Sequence, residues 1–497
     1  MDRSYARPLI ERYFKDKALL DSAIRSFNYF IETDLNKIIE ENKIVEPTII
    51  PESIDEFKIR FDAITVGKPE ITEADGSKRI IFPAEARLRK LTYAAPLFLE
   101  VSTHINGVQR ETFKAQIGYM PIMLKSKKCH LHGFSREELI KHGEDPDDPG
   151  GYFVINGSEK VLINVEDLAP NKLLVEDQKI GPSSFVGKFF SESGSYKIPH
   201  TIEQFKDGIY YLSFTRVKRI PYVVVIKALG MLKDQEIVQT MFPDGNIDNS
   251  ILLNLYQHTS VRTVEDALDF MAKKIGITQS KEIRVERTKE ILVKYLLPNI
   301  GIEEEHHQQK AVNLCKMLSR FVRIANAMEA QSDKDHYMNK RIKLPGDLLG
   351  ELFRSNINVL VGDLLYNFQR IVKRGKFPSI KVVIREKLLT QRLYSAMATG
   401  TWIGGRKGIS QRIQRLNFLD TVSHLQRVIS PLSTSQENFE ARELHSTHLG
   451  RLCPLETPEG SNIGLRKNLA MMASISAEID EQELIGNMKV LGLRTQG

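Results

Sequence analysis

Between residues 8 and 40, in PLIERYFKDKALLDSAIRSFNYFIETDLNKII, apolar side chains return every three or four positions. That spacing puts them on one face of a helix, so the chain is expected to open with amphipathic helices. From about Arg79 to Met123 the pattern changes to that of strands. YAAPLFLEVS and GVQRETFKAQIGYMPIML flank the sequence HING, and Asn106-Gly107 is the dipeptide that a two-residue hairpin turn favours. A second hairpin is expected in GGYFVINGSEKVLINVE, with Asn156-Gly157 between YFVI and KVLI. Ahead of it, GEDPDDPGG reads as a turn-rich loop.

Around Leu173 the character shifts. IGPSSFVGKFFSESGSYKIP is rich in Gly and Ser and leads to two expected strands, GIYYLSFTRV and IPYVVVIKALG. Helical patterns follow in TVEDALDFMAKKIG and AVNLCKMLSRFVRIANAM, which suggests a separate α+β module. QSDKDHYMNKRIKLPGDL is a polar joint, and GDLLGELFRSNINVLVGDLLYNFQRIVKRG is a long helical stretch. From about Gly400 the chain becomes glycine-rich and irregular, as in TGTWIGGRKGISQRI. There is no internal repeat and no low-complexity tract.

At 497 residues the chain is expected to form three or four domains. Its 41% hydrophobic and 27% charged residues are ordinary for a soluble globular protein. No apolar run approaches the ~18 residues of a membrane span, and MDRSYARPLIERYFKD lacks the apolar segment of a secretory signal. Three cysteines, Cys129, Cys315 and Cys453, cannot make a disulfide framework, so a reducing cytoplasm is the expected compartment. The net charge of +7 is unevenly placed. From Arg370 to Arg415, twelve basic residues face one acid, Glu386, and the remainder of the chain is mildly acidic. A solvated helix face would intersperse acids, so the block points to contact with a polyanion.

The segment HSTHLGRLCPLETPEGSNIGLRKNLA, residues 445–470, looks rich in chemistry. His445, His448 and Cys453 make three zinc-type ligands where a structural site needs four, and Cys129, His130 and His132 make a second incomplete set. Backbone-bonding histidines and a buried thiol are the alternative reading. A Cys–His nucleophile at Cys453 is disfavoured by its Leu452 and Pro454 flanks, and sequence shows no partner distance for it. GTWIGGRKGIS approaches a phosphate-binding loop, but Arg406 precedes Lys407 and Gly408 stands where Ser or Thr should hold magnesium. A flexible loop presenting Arg406 and Lys407 to a nucleic-acid backbone suits it better. The loop DPDDPGG has spaced acids but lacks calcium-loop ligands at Pro149 and Asn156, so it reads as a turn. No close aspartate cluster, dinucleotide loop or nucleophile elbow is visible. The residues alone describe a nucleic-acid-contacting protein without a self-contained active site.

Three stretches carry a resemblance: PGGYFVINGSEKVLI (149–163), DKDHYMNKRIKLPGDLL (333–349) and ARELHSTHLGRLCPLETPEGSNIGLRKNLA (441–470). Together they are similar to the second-largest subunit of multisubunit DNA-dependent RNA polymerases, in order and over essentially the whole chain. The sequence looks like the upstream chain, B double-prime, of the split archaeal form. The resemblance implies an α+β multidomain fold: a protrusion domain (1–172 and 326–399), an inserted lobe (173–325) and a fork region (400–497). WIGGRKGISQRI (402–413) would be the first fork loop and ISPLSTSQENFEA (429–441) the second. Gln411, Arg442 and Glu459 match family positions near the RNA–DNA hybrid or the incoming nucleotide. Arg406, Lys407 and Arg415 are further candidates for facing nucleic acid. A guanidinium such as Arg442 can grip phosphate at two points. Glu459 cannot, and it has the alternative role of accepting backbone N–H bonds.

The same resemblance implies template-directed nucleotidyl transfer from nucleoside triphosphates, with no catalytic residue and no metal ligand in this chain. Magnesium would be held by other chains of the assembled enzyme. The implied partners are the downstream half of the subunit (B prime), the largest subunit, other polymerase subunits, template DNA, nascent RNA and NTPs, with no membrane.

Overall fold

A computed structural model describes all residues except 1–5, 16–19, 52–53, 179–182, 195, 216, 436–437, 477–480 and 494–497. Part of the Gly/Ser-rich stretch after Leu173, and part of the expected second fork loop, therefore lie outside the described residues. The chain divides into two compact units, Met1–Asp167 with Ile342–Gly497, and Leu168–Arg341.

In the first unit the opening helical pattern becomes Ala6–Lys15, Asp21–Tyr29 and Leu35–Glu41, the last two joined through a single wide turn at Phe30–Asp34. Phe27, Phe30, Leu35, Ile38 and Ile39 are buried, as the three-and-four spacing requires. They pack with the helix Pro345–Val372, whose Phe353 meets Phe30 edge-on at 6.4 Å.

The first expected hairpin is present. Ala94–Ile105 and Val108–Pro121 pair antiparallel, and Asn106 and Gly107 both adopt positive φ (48° and 77°). That twist matches the strands, which explains why this dipeptide marks the turn. Two features were not legible. The strand Phe57–Val66, flanking the hairpin, escaped the pattern, and the helix Pro83–Leu88 interrupts the stretch expected to be strand. The second hairpin pairs Phe153–Ile155 with Ser158–Leu162, again with Asn156 and Gly157 at positive φ.

The second unit is a five-stranded antiparallel meander from Leu173 to Pro221, followed by helices. One expectation fails here. IPYVVVIKALG does not form a strand beyond Pro221: Tyr222–Ala228 is a helix, and all seven of its residues are buried. A β-branched run favours strands only weakly, and complete burial among neighbouring helices overrides that preference. The helix Val264–Ile275 follows its sequence closely. The Thr263 hydroxyl accepts from the Asp266 N–H (3.1 Å), and Gly276 closes the helix at φ 89°. The mixed helices and small sheets of both units make this an α+β protein of more than one domain. Among the described residues no helix is long and apolar enough to cross a membrane.

Candidate nucleic-acid interface

The helix Glu386–Thr399 stops at Gly400, whose φ of 75° is the left-handed conformation a helix end prefers in glycine. A side chain there would collide with the Ser410 carbonyl. The neck is closed by three contacts. The Ile409 N–H donates to the Gly400 carbonyl (3.3 Å), the Ser410 hydroxyl to Met397 O (2.6 Å), and the buried Trp402 indole to Leu348 O (2.9 Å). The loop between leaves and returns at this neck with Arg406 and Lys407 upon it. Ser410–Arg412 then joins the second hairpin, antiparallel to Ser158–Leu162.

A second loop begins after Arg427–Ile429, a strand that runs parallel to Asn164–Leu168 and antiparallel to Arg466–Asn468. Lys467, 6% exposed, lies beneath this sheet and pairs with Glu166, 3% exposed, at 3.0 and 3.1 Å. The guanidinium of Arg442 donates to three carbonyls: Ser461 (2.8 Å), Ile463 (3.0 Å) and Thr434 (3.2 Å). It thereby fastens the second loop to the turn that follows Glu459. Gly464 is obligatory at that turn, because a Cβ would run into the Arg442 backbone.

The two loops face each other across a cleft of about 220 Å³, lined by Arg406, Lys407, Gln411, Thr434, Asn462 and Arg466 among others. Arg466 also lines a neighbouring hollow with Arg427, Gln414 and Glu456. His424 sits behind. Burial, with Arg427 close by, depresses its pKa to about 4, so the ring is neutral. Its Nδ1 accepts from the Gln414 N–H (3.1 Å), which leaves Nε2–H to donate to Gln411 Oε1 (3.1 Å). Gln411 Nε2 donates onward to Gly408 O (2.9 Å). The amide of Gln411 is thus held in one orientation at the cleft wall.

The sequence-derived residues separate into three groups. Arg406, Lys407 and Gln411 meet in the cleft, and Lys407 is exposed with no hydrogen bond or ion pair among the described residues. Arg406 is partly committed, to Asp167 (3.4 Å) and Glu351 (3.9 Å). Arg442 braces the loops through its donors. Arg415 instead pairs with Glu159 and Asp148 (2.9 Å each) and lies over the Tyr152 ring at 5.0 Å, which makes it part of a structural network with Arg87. Glu459 is exposed and its side chain caps nothing, so the alternative role of accepting backbone N–H bonds finds no partner among the described residues.

Arg427 and Arg466 were missed by sequence reasoning. Burial and the nearby Arg466 charge lower the Arg427 pKa, the mark of two cations brought close without enough acid between them. The available signal was LRKNL, where alternation in a strand separates Arg466 from the inward Lys467.

His445, His448 and Cys129 are engaged within the fold. His445 Nδ1 contacts the Thr447 hydroxyl (2.7 Å) and accepts from its N–H (3.2 Å), and His448 is buried under the same turn. Cys129 is buried beside the Tyr93 hydroxyl (3.4 Å), and burial raises its pKa. Among the described residues no group of three or more His, Cys, Asp or Glu is arranged to hold a metal ion.

Residues 18–391 match the RNA polymerase beta subunit family, and residues 411–475 match the family described as RNA polymerase Rpb2, domain 3. The chain is 43% identical to the DNA-directed RNA polymerase subunit Rpo2N of Methanocaldococcus jannaschii, covering 98% of this chain and 99% of that one. It is 41% identical to Rpo2N of Halobacterium salinarum, over 96% and 93%. It is 43% identical to subunit Rpo2 of Saccharolobus solfataricus over 95% of this chain, yet it spans only 42% of that longer subunit. The chain therefore belongs to the RNA polymerase beta subunit family.

Proposed function

We propose that this chain is the upstream half of the second-largest subunit of an archaeal-type DNA-directed RNA polymerase, and that the cleft between its two loops faces the nucleic acid at the active centre. In this reading residues 1–172 and 326–399 form the protrusion, 173–325 the lobe, and 400–497 the fork region. The partners are the downstream half of the subunit, the largest subunit, the other polymerase subunits, template DNA, nascent RNA and NTPs. The reaction is nucleotidyl transfer to the RNA 3′ end.

One observation carries the reading. A chain matched end to end by Rpo2N subunits brings two loops, the first before Ser410 and the second after Ile429, together around Lys407 and Arg466, which have no ion pair among the described residues. Lys407 and Arg466 supply charge for phosphate oxygens without reading bases, so the grip is independent of sequence. Arg442, Gln411 and His424 set the loop positions, and this contributes through orientation.

The carboxylates around the cleft do not suit the magnesium that the reaction needs. Glu166 is spent on Lys467, and Asp167 on Lys343 and Arg406. Magnesium is therefore assigned to other chains, and none of the steps above passes through it.

The test is reconstitution with the downstream half and the largest subunit. The Lys407→Ala and Arg466→Ala enzymes should assemble normally but elongate on a primed template at least several-fold more slowly, with the defect largest at low salt and shrinking as salt rises. Wild-type elongation by both variants, or extension of RNA by this chain alone, would overturn the proposal.

A further inference from the structure

The second unit holds a cleft of about 280 Å³ that plays no part in the fork region. One wall is a face of the helix His307–Ala325, which presents Asn313, Lys316, Met317 and Arg320 at positions i, i+3, i+4 and i+7. The opposite wall holds Lys172, just ahead of the edge strand Leu173–Asp177, and the turn carrying Asn299 and Ile300. The floor is apolar, formed by Leu173, Phe189 and Leu297.

The rim offers donors. Lys172 and Lys316 have no ion pair among the described residues, and Arg320 has only a long contact with Glu329 (3.9 Å). Asn299 is oriented: its N–H donates to the Ser191 hydroxyl (3.2 Å), which donates back to Asn299 Oδ1 (2.6 Å). Its Nδ2 remains as a donor for the cleft. No acid lines the cleft. Glu192, the neighbour of Ser191, pairs with Lys197 at 3.8 Å, and Glu329 is shared with Arg323.

The turn is rigid. Leu297 is buried at φ 45°, a conformation that costs a leucine strain. It persists because the Leu297 N–H donates to Nε2 of the buried His200 (3.2 Å).

We propose that this cleft is a docking site for an acidic segment of a partner protein, one apolar side chain entering the floor while carboxylates meet Lys172, Lys316 and Arg320. Charge complementarity selects the occupant, because a donor-only rim around an apolar floor fits a carboxylate-flanked hydrophobic anchor. The cleft has room for one or two side chains and lacks an extended basic track, so a nucleic-acid strand fits less well. The proposal does not depend on the function assigned to the fork cleft.

The test uses the full chain and a fluorescein-labelled peptide, Asp-Glu-Phe-Glu-Asp, at low salt. Binding by fluorescence anisotropy is expected. It should weaken at least tenfold for K316E/R320E and severalfold when Ser replaces the peptide's Phe, and it should be unchanged for Lys407→Ala. Both substituted residues are exposed, and circular dichroism checks that the variant is folded. Absence of peptide binding, or binding within twofold by K316E/R320E or by the Ser peptide, would overturn the proposal. So would tighter binding of an oligouridylate of equal charge that the same variant abolishes, which would assign the cleft to nucleic acid.

Discussion

Residues 370–387 and 392–415 are two parts of one basic block, yet their cations live differently. In the first part Arg370, Lys373, Arg374, Lys376, Lys381 and Lys387 are exposed and make no ion pair among the described residues, while Arg385 alone pairs with an acid, Asp363. Their platform is firm: Phe377 meets Phe57 and Phe368 edge-on at 5.3 and 5.8 Å. In the second part Arg392 is bonded to Asn356 (2.6 Å), and Arg406 and Arg415 are paired with carboxylates brought from elsewhere in the first unit. Charge of the same sign becomes solvated surface in the first part, while in the second part Arg392, Arg406 and Arg415 are drawn into bracing contacts and Lys407 and Arg412 stay exposed. The difference lies in which acids the fold brings near, and ionic interactions have short reach once water screens them.

The contrast predicts a graded series of effects. The largest concerns the fully buried pair. Lys467→Met should cost about 3–5 kcal/mol in urea unfolding, because it leaves Glu166 charged and unpaired in the interior. A loss under about 1 kcal/mol would show that water reaches the site.

Next is acid sensitivity. Burial depresses the His200 pKa to about 4, and the ring is 1% exposed. The unfolded chain takes up a proton near pH 6.5 and the folded chain does not. Stability is therefore full above that pH and falls by about 3 kcal/mol as pH drops from about 6.5 towards 4. His200→Gln should flatten this slope in the unfolding of the second unit, and an unchanged slope would place the acid sensitivity elsewhere.

Arg415→Ala should cost about 1 kcal/mol, since Arg87 still shares Glu159 and the Arg415 guanidinium is partly solvated. Arg415→Lys should recover only part, because a point charge cannot reach Glu159 and Asp148 with two parallel donors while lying on Tyr152.

The smallest effect on stability belongs to the exposed part. K373A/R374A/K376A should leave the unfolding midpoint within about 0.5 kcal/mol of the parent. If those lysines and arginine touch nucleic acid, the same variant should reduce the salt dependence of binding by the assembled polymerase. An unchanged salt slope would leave them as solvated charge.

The site was legible in pieces. Glycines and adjacent cations marked the loop at 400–408, and the string around 445–470 marked the family without showing what each of its side chains does. The ring chemistry of His445 and His448 misleads because local backbone bonds satisfy it. The bracing role of Arg442 could not be read, since its three carbonyl partners lie 8, 19 and 21 residues away along the chain. Of the two roles open to Glu459, the backbone-accepting one has no bond among the described residues.

Local sequence was enough for the two Asn-Gly hairpins, the helix Val264–Ile275, the amphipathic opening helices and the family. Each of these rests on local conformational preference, on a short period, or on a long string of identities. Tertiary structure alone decided that VVVIKA is helical, that Lys467 is buried against a glutamate 301 residues distant, and that Arg466 faces Lys407 across a cleft. Those outcomes depend on which surfaces are removed from water and which charges then find partners, and both are properties of the packed chain.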